Sequence, residues 1–162
     1  MIYDLVSENN FLLKTKIESF NFANAPISPI ELADNMSQTL EKHLGLGLSA
    51  NQVGLPYRMF IMRGEKDNIA VFNPRIVTVS NETVSLEEAS LSFPGIEVKV
   101  KRPRSIRVRF QNEYGETNTY TYTNLTARIF LQQCDQLDGI LFFNRANKYH
   151  KEQAFKKRLK RG

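Results

Sequence analysis

A chain of 162 residues that is 41% apolar and 24% charged is long enough for one domain with its own core and short for two. No run of about 18 apolar residues occurs, so no membrane span is expected, and the single cysteine, Cys134, excludes an intrachain disulfide and any thiolate cluster. The net charge of +5 is uneven: residues 145–162 hold eight Lys/Arg against one Glu, a balance of +7, while the other 144 residues hold 14 basic against 16 acidic side chains.

The N-terminal MIYDLVSENNFLLKTK has acids early and no basic region followed by an apolar block. It is not read as a signal peptide, and the expected compartment is the cytoplasm. Next, SPIELADNMSQTLEKHLG predicts a helix: Ser28 caps it, Pro29 suits the first position, Glu31 completes a capping box and Gly45 ends it. Ile30, Leu32, Met36, Leu40 and Leu44 form its expected buried stripe. Six β-like runs follow, YRMFIM, IAVFNPRIVTVS, TVSLEEASLSF, IEVKVK, SIRVRFQN and TNTYTYT, separated by the turn signals RGEKDN, FPG, KRPR and EYGE. A second helix is predicted over roughly 124–138, and the basic terminal segment reads as a third. Helix, many strands, helix, helix is the order of an α+β fold with antiparallel sheets.

Three stretches carry candidate chemistry. GLGLSANQVGLP at 45–56 alternates glycine with apolar residues, which permits close backbone approach to a ligand, and Gln52 adds an amide donor. The same stretch also reads as a plain Gly-rich turn. EEASLSFPG at 87–95 has no signature by itself. LQQCDQLDGILF at 131–142 places Gln132 and Gln136 at i and i+4, with Gln133 between. This is the spacing at which an H-E-x-x-H helix holds a metal, but here all three positions are amides.

In this order the three stretches resemble the motifs of peptide deformylases, the metallohydrolases that remove the formyl group from nascent N-terminal methionine. The family's G-Φ-G-Φ-A-A-x-Q (Φ apolar), E-G-C-L-S and H-E-x-x-H stand against GLGLSANQ at 45–52, EASLS at 88–92 and QQCDQ at 132–136. The AR before the third motif, the LDGILF after it, VKRP and a hairpin around EYGE fit too, so the resemblance spans roughly 28–155. It implies antiparallel sheets around the 124–138 helix, a body of residues 1–144 and a basic C-terminal helix or tail of 145–162. It further implies that Ser90, Gln132 and Gln136 stand at the metal-ligand positions and Gln133 at that of the general acid/base. Gln52 and the Leu91 N–H would hold the formyl oxygen. Leu46, Gly47, Leu86, Leu125 and Ile129 occupy the positions of the pocket for the peptide's methionine, while Ala89 and Ser49 replace a glycine and an alanine.

A hydroxyl and two amides are feeble ligands for zinc or iron, and glutamine cannot shuttle a proton. The expectation is therefore a pseudoenzyme, with no metal or other cofactor, of bacterial-virus origin, that binds a nascent peptide or the ribosome without turnover. Two alternatives stay open: a structural subunit of an assembly such as a phage particle, found in the virion, and an active deformylase with an unusual metal site. The amides and Ser90 are expected to hydrogen-bond one another across the old metal pocket. In the tail, Lys151, Lys156, Lys157, Lys160 and Arg161 are expected to face a polyanion, the ribosome first. Ala154, Phe155 and Leu159 would form its narrow apolar edge.

Overall fold

The computed structural model describes residues 1–161; Gly162, the last residue of the basic segment, lies outside the described residues. Helix α1 (Pro29–His43) is followed by strands β1 (Gly47–Ser49), β2 (Met59–Met62), β3 (Ile69–Val79), β4 (Thr83–Glu88), β5 (Val98–Pro103), β6 (Ser105–Gln111) and β7 (Thr117–Thr123). Helices α2 (Asn124–Leu137) and α3 (Lys148–Arg161) complete the chain. Every strand pairing is antiparallel, in a five-stranded sheet of order β1-β2-β3-β6-β7 and a two-stranded sheet β4-β5. The α+β architecture around a central helix, with a basic C-terminal helix, is as the sequence predicts. The Gly-rich 45–56 stretch contains a strand as well as a turn.

β2 explains how the layers meet. Its residues MFIM are all buried because the sheet is covered on both faces there. Met59 and Ile61 pack with Leu32, Met36 and Leu40 of α1, whereas Phe60 and Met62 pack with Ala127, Phe130 and Leu131 of α2. β6 shows the one-sided case: Ile106, Val108 and Phe110 are buried against α2, and Arg107 and Arg109 are exposed. This is the period-2 alternation expected of a half-covered strand. Phe130 anchors α2, fully buried and edge-on to Phe60 at 5.2 Å between ring centres.

Two details of α1 depart from expectation. Ser28 Oγ accepts the Glu31 N–H at 3.3 Å, but the left-handed residue that ends the helix is Leu44, with φ 54°, not Gly45. The buried stripe is also shorter and broader: Ile30 and Leu44 are exposed, and Ala33, Asn35 and Thr39 take their share of the buried face. Asn35 and Thr39 are tolerated there because they bond the N-terminal segment. The Tyr3 N–H donates to Thr39 Oγ1 at 3.0 Å, and Asn35 Nδ2 donates to Tyr3 Oη at 3.2 Å.

α3 lies on the body along one side, as far as Arg158. Ala154 is buried, and Phe155 packs edge-on to Phe143 at 5.1 Å. Arg158 pairs with Glu8 at 2.7 Å. Leu159 is 80% exposed, so the expected apolar edge stops at Phe155. Lys151 turns to the body, donating to Asn144 Oδ1 at 2.6 Å and lying over the Phe143 ring. Lys156, Lys157, Lys160 and Arg161 are exposed. No described helix is long and apolar enough to cross a membrane.

Candidate active site

Gly47 on β1 sets how closely α2 can approach the sheet edge. A Cβ there would lie 3.0 Å from both Gln133 Nε2 and Ile129 Cγ2, so these two side chains would have to give way to it. At the other end of α2, Gly139 holds φ 75°, and a Cβ on it would meet the Lys14 backbone at 2.6 Å. Between these points α2, β1 and the segment after β4 enclose a pocket of about 380 Å³. Leu44–Gly47 form one wall, Glu87–Leu91 the second, and Leu125, Arg128, Ile129, Gln132 and Gln133 the third. Of the residues expected to take a methionine side chain, Leu46, Gly47, Leu125 and Ile129 line it, while Leu86 stands half-exposed on β4 outside the lining.

The polar residues are wired differently from expectation. Gln132 Nε2 donates to the Ala89 carbonyl at 2.9 Å, and Gln136 Nε2 to the Leu13 carbonyl at 2.9 Å. Ser90 Oγ accepts from the Ser92 N–H at 3.2 Å and, weakly, from Gln52 Nε2 at 3.4 Å. The amides satisfy backbone carbonyls on different segments, not one another, because the chain offers closer acceptors than the pocket does. Gln52 is locked as well: its Oε1 accepts the Ser49 N–H at 2.9 Å, and its Nε2 donates to Ser92 Oγ at 2.9 Å. Ser49 therefore belongs to a closed turn and does not block the pocket. One atom is left over: Gln133 Oε1 is buried with no partner among the described residues. Such an orphaned carbonyl costs on the order of 1–3 kcal/mol and marks a place where a ligand N–H or O–H would be welcomed.

A deformylase metal does not fit this donor set. A catalytic zinc or iron needs about three good protein donors, and among the described residues no group of three His, Cys, Asp or Glu is placed to hold an ion. Asp135 is committed to Arg102 (2.9 Å) and Arg145 (2.9 Å), and Asp138 to Arg58 (2.9 Å). Cys134 is buried on the far side of the helix, among the core residues under the sheet. Burial pushes its thiol well above the ordinary range, with Arg58 and Asp138 making smaller, opposed contributions.

A charged chain that sequence reasoning missed fixes the second motif against α2. Arg128 donates to Glu88 Oε2 at 2.6 Å, Glu88 clasps Arg102, and Arg102 reaches Asp135. Burial pulls the Arg102 guanidinium down, but the hydrogen bonds and charges of Glu88 and Asp135 outweigh it and hold the group above the ordinary arginine value. The linked residues come from β4, β5 and α2, so only the glutamate that opens the second motif hinted at the chain.

The family model for polypeptide deformylase matches residues 2–152. A peptide deformylase of Thermotoga petrophila is 38% identical over 119 residues, covering 69% of this chain and 73% of the relative. That of Thermotoga neapolitana is 38% identical over 126 residues, covering 78% and 76%. The crystal structure of the Thermus thermophilus peptide deformylase superposes with a TM-score of 0.88 at 31% identity, covering 98% of this chain and 96% of that one. These relatives correct the expectation of a metal-free pseudoenzyme of bacterial-virus origin: they are named as enzymes, and their likeness favours the alternative of an active deformylase with an unusual site. With motifs, fold and relatives in agreement over nearly its whole length, the chain belongs to the peptide deformylase family.

Proposed function

We propose that the chain is a peptide deformylase with an altered polar site, acting on the formylated N-terminus of a peptide seated in the 380 Å³ pocket. The observation that carries this reading is the intact pocket between β1, β4 and α2 within the family frame. β1 is an edge strand of one sheet, and β4 pairs only with β5 in the other, so an extended peptide can add to them by main-chain hydrogen bonds. Ile129 with Leu46 and Leu125 supplies apolar surface for the first side chain, whose burial is worth about 1.5–3 kcal/mol.

The chain's own groups then act by holding the formamide. The Leu91 N–H, in the pocket wall, is assigned to the carbonyl oxygen, and the Gln133 side chain, which lines the same pocket and whose buried Oε1 has no partner, is assigned to the formamide N–H once it turns towards the pocket. Because Gln133 cannot take up and return a proton, that loss alone should put turnover at least about 10²–10⁴-fold below that of a relative with glutamate there, and the poor donor set lowers it further. The test is formate release from formyl-Met-Ala-Ser, with added iron, nickel, cobalt or zinc and with chelator. Formate above a heat-inactivated control, abolished when Gly47→Val closes the pocket, is expected. Absence of formate under all conditions would overturn the reading.

We also propose that α3 makes contact with the ribosome. Its exposed Lys156, Lys157, Lys160 and Arg161 support this reading.

A further inference from the structure

The sequence has eleven arginines. Seven make ion pairs with carboxylates: Arg58, Arg63, Arg102, Arg104, Arg128, Arg145 and Arg158. Among the described residues the other four, Arg75, Arg107, Arg109 and Arg161, have no carboxylate within ion-pairing distance. Three of these four share one sheet face. Arg75 on β3 stands directly opposite Arg109 on β6, and Arg107 lies two residues along from Arg109, on the side away from α2. Like charges directly opposite in a sheet are mildly destabilising, so the fold itself gives no reason to gather them.

The rest of the face has matching chemistry. β3, β6 and β7 contain no Asp or Glu. Arg107 faces Thr121, Arg109 faces Thr119, and Ser105 faces Thr123, so hydroxyls alternate with guanidinium groups across the strands. Arg109 Nε donates to Thr119 Oγ1 at 3.1 Å, which leaves its remaining N–H groups for a ligand. Beyond Arg75 and Arg109 the face opens into a groove of about 750 Å³, to which Lys16 and Arg58 also contribute. Glu18 is the one acid at this groove. The aromatic side chains of β7, Tyr120 and Tyr122, lie on the opposite face, stacked at 5.8 Å between rings and, for Tyr120, against Phe110. Phe110, the ring in the groove's lining, is almost wholly buried, so among the described residues these strands offer no open ring on this face for stacking a base.

We propose that this outer face of β3-β6-β7 is a docking surface for the sugar–phosphate backbone of RNA, independent of the pocket and of α3. Guanidinium forks pair with phosphate oxygens, and the threonine hydroxyls both donate to and accept from the ribose 2′-hydroxyl. Binding through the backbone and not through base edges is insensitive to sequence.

The test is fluorescence anisotropy of the full chain with a labelled RNA hairpin, titrated in salt, beside a DNA hairpin of the same sequence. Arg75→Gln, Arg107→Gln and Arg109→Gln together are expected to weaken binding at least tenfold at low salt. They should also flatten the slope of log K against log salt by about 2–3, near 0.7–0.9 for each phosphate that is no longer neutralised. The three arginine-to-lysine changes should keep the slope. These positions are exposed, so a thermal melt close to that of the parent is the check on folding. A second variant, Lys156→Gln, Lys157→Gln, Lys160→Gln and Arg161→Gln, separates the helix from the sheet, because its residual binding must still respond to the three arginine changes. An unchanged slope in the sheet variant, or no RNA binding by the parent, would overturn the proposal. DNA bound as tightly as RNA would overturn the RNA assignment.

Discussion

Glu88 holds Arg102 with both carboxylate oxygens, receiving Nε at 2.6 Å and Nη2 at 2.9 Å, and both side chains are almost wholly buried. Removing one partner of a buried ion pair strands the other charge, which costs about 3–5 kcal/mol. Glu88→Ala leaves Arg128 with backbone carbonyls alone and Arg102 with Asp135 alone. The expected outcome is a loss of about that size in urea unfolding. A loss below about 1 kcal/mol, the scale of an exposed pair, would show that water reaches the cluster.

Converting Ser90→Cys, Gln132→His, Gln133→Glu and Gln136→His in one chain rebuilds a thiolate–imidazole donor set in the family frame. One tightly held iron or zinc per chain is expected by elemental analysis, with formate release rising by at least about 10²-fold as a proton-shuttling carboxylate returns. The replacement at 136 gives up the bond to the Leu13 carbonyl, so some stability is sacrificed as well. A folded variant with no bound metal would mean that α2 and the Ser90 segment no longer meet at ligand geometry.

Cys134 offers a chemical probe of opening. Its thiol is buried, and burial raises its pKa well above the usual thiol range. Only the thiolate reacts quickly with disulfide reagents. Labelling at pH 8 should therefore proceed at the rate of unfolding and accelerate with urea. Stoichiometric labelling within seconds in native buffer would contradict the buried placement.

Tyr122 sets an alkaline limit. Burial, with a smaller contribution from Tyr120, pushes its phenol from 10.0 up to about 12. The folded protein keeps this proton to higher pH than the unfolded chain does. The associated stability is thus intact below about pH 10 and is lost as pH rises towards 12. Denaturation midpoints should fall across that interval, and less steeply for Tyr122→Phe. Ultraviolet titration should show one tyrosine ionising late that is missing from the variant.

Neutralising Lys156, Lys157, Lys160 and Arg161 to glutamine should reduce co-sedimentation with ribosomes at low salt and leave the thermal midpoint unchanged, since these side chains are exposed and unpaired among the described residues. Truncating α3 is a poorer test, because Ala154 and Phe155 are packed on the body. Sedimentation equal to that of the parent would remove the helix from the interface.

Much of the fold was legible because periodicity reports burial. The alternation in SIRVRFQ sets Ile106, Val108 and Phe110 on one face of their strand, the face that is buried, and three motifs in order mark the pocket. What could not be read depended on partners distant in sequence. Gln136 was legible as a position on a helix face, but its acceptor, the Leu13 carbonyl, lies 123 residues away. The helix end slipped by one residue because Leu44, a residue that seldom adopts positive φ, does so beside a glycine. The Glu88–Arg102–Asp135 chain joins three elements and leaves no local pattern. Four replaced positions point to a pseudoenzyme, whereas the rest of the chain follows relatives named as enzymes.

The bond from Gln136 to Leu13 also fixes an order of events. Leu13 is fully buried among Val98, Val100, Leu141, Phe142 and Phe143, and the Asn51 side chain donates to the carbonyls of both Leu12 and Gln136. During synthesis the turn at Phe11–Lys14 therefore waits for this partner until more than a hundred later residues have emerged. Pairings of such long sequence separation form late and slowly. The pocket wall carried by α2 can lock only when the chain closes on its own beginning, so a ribosome stalled before residue 136 would present a nascent protein without its site.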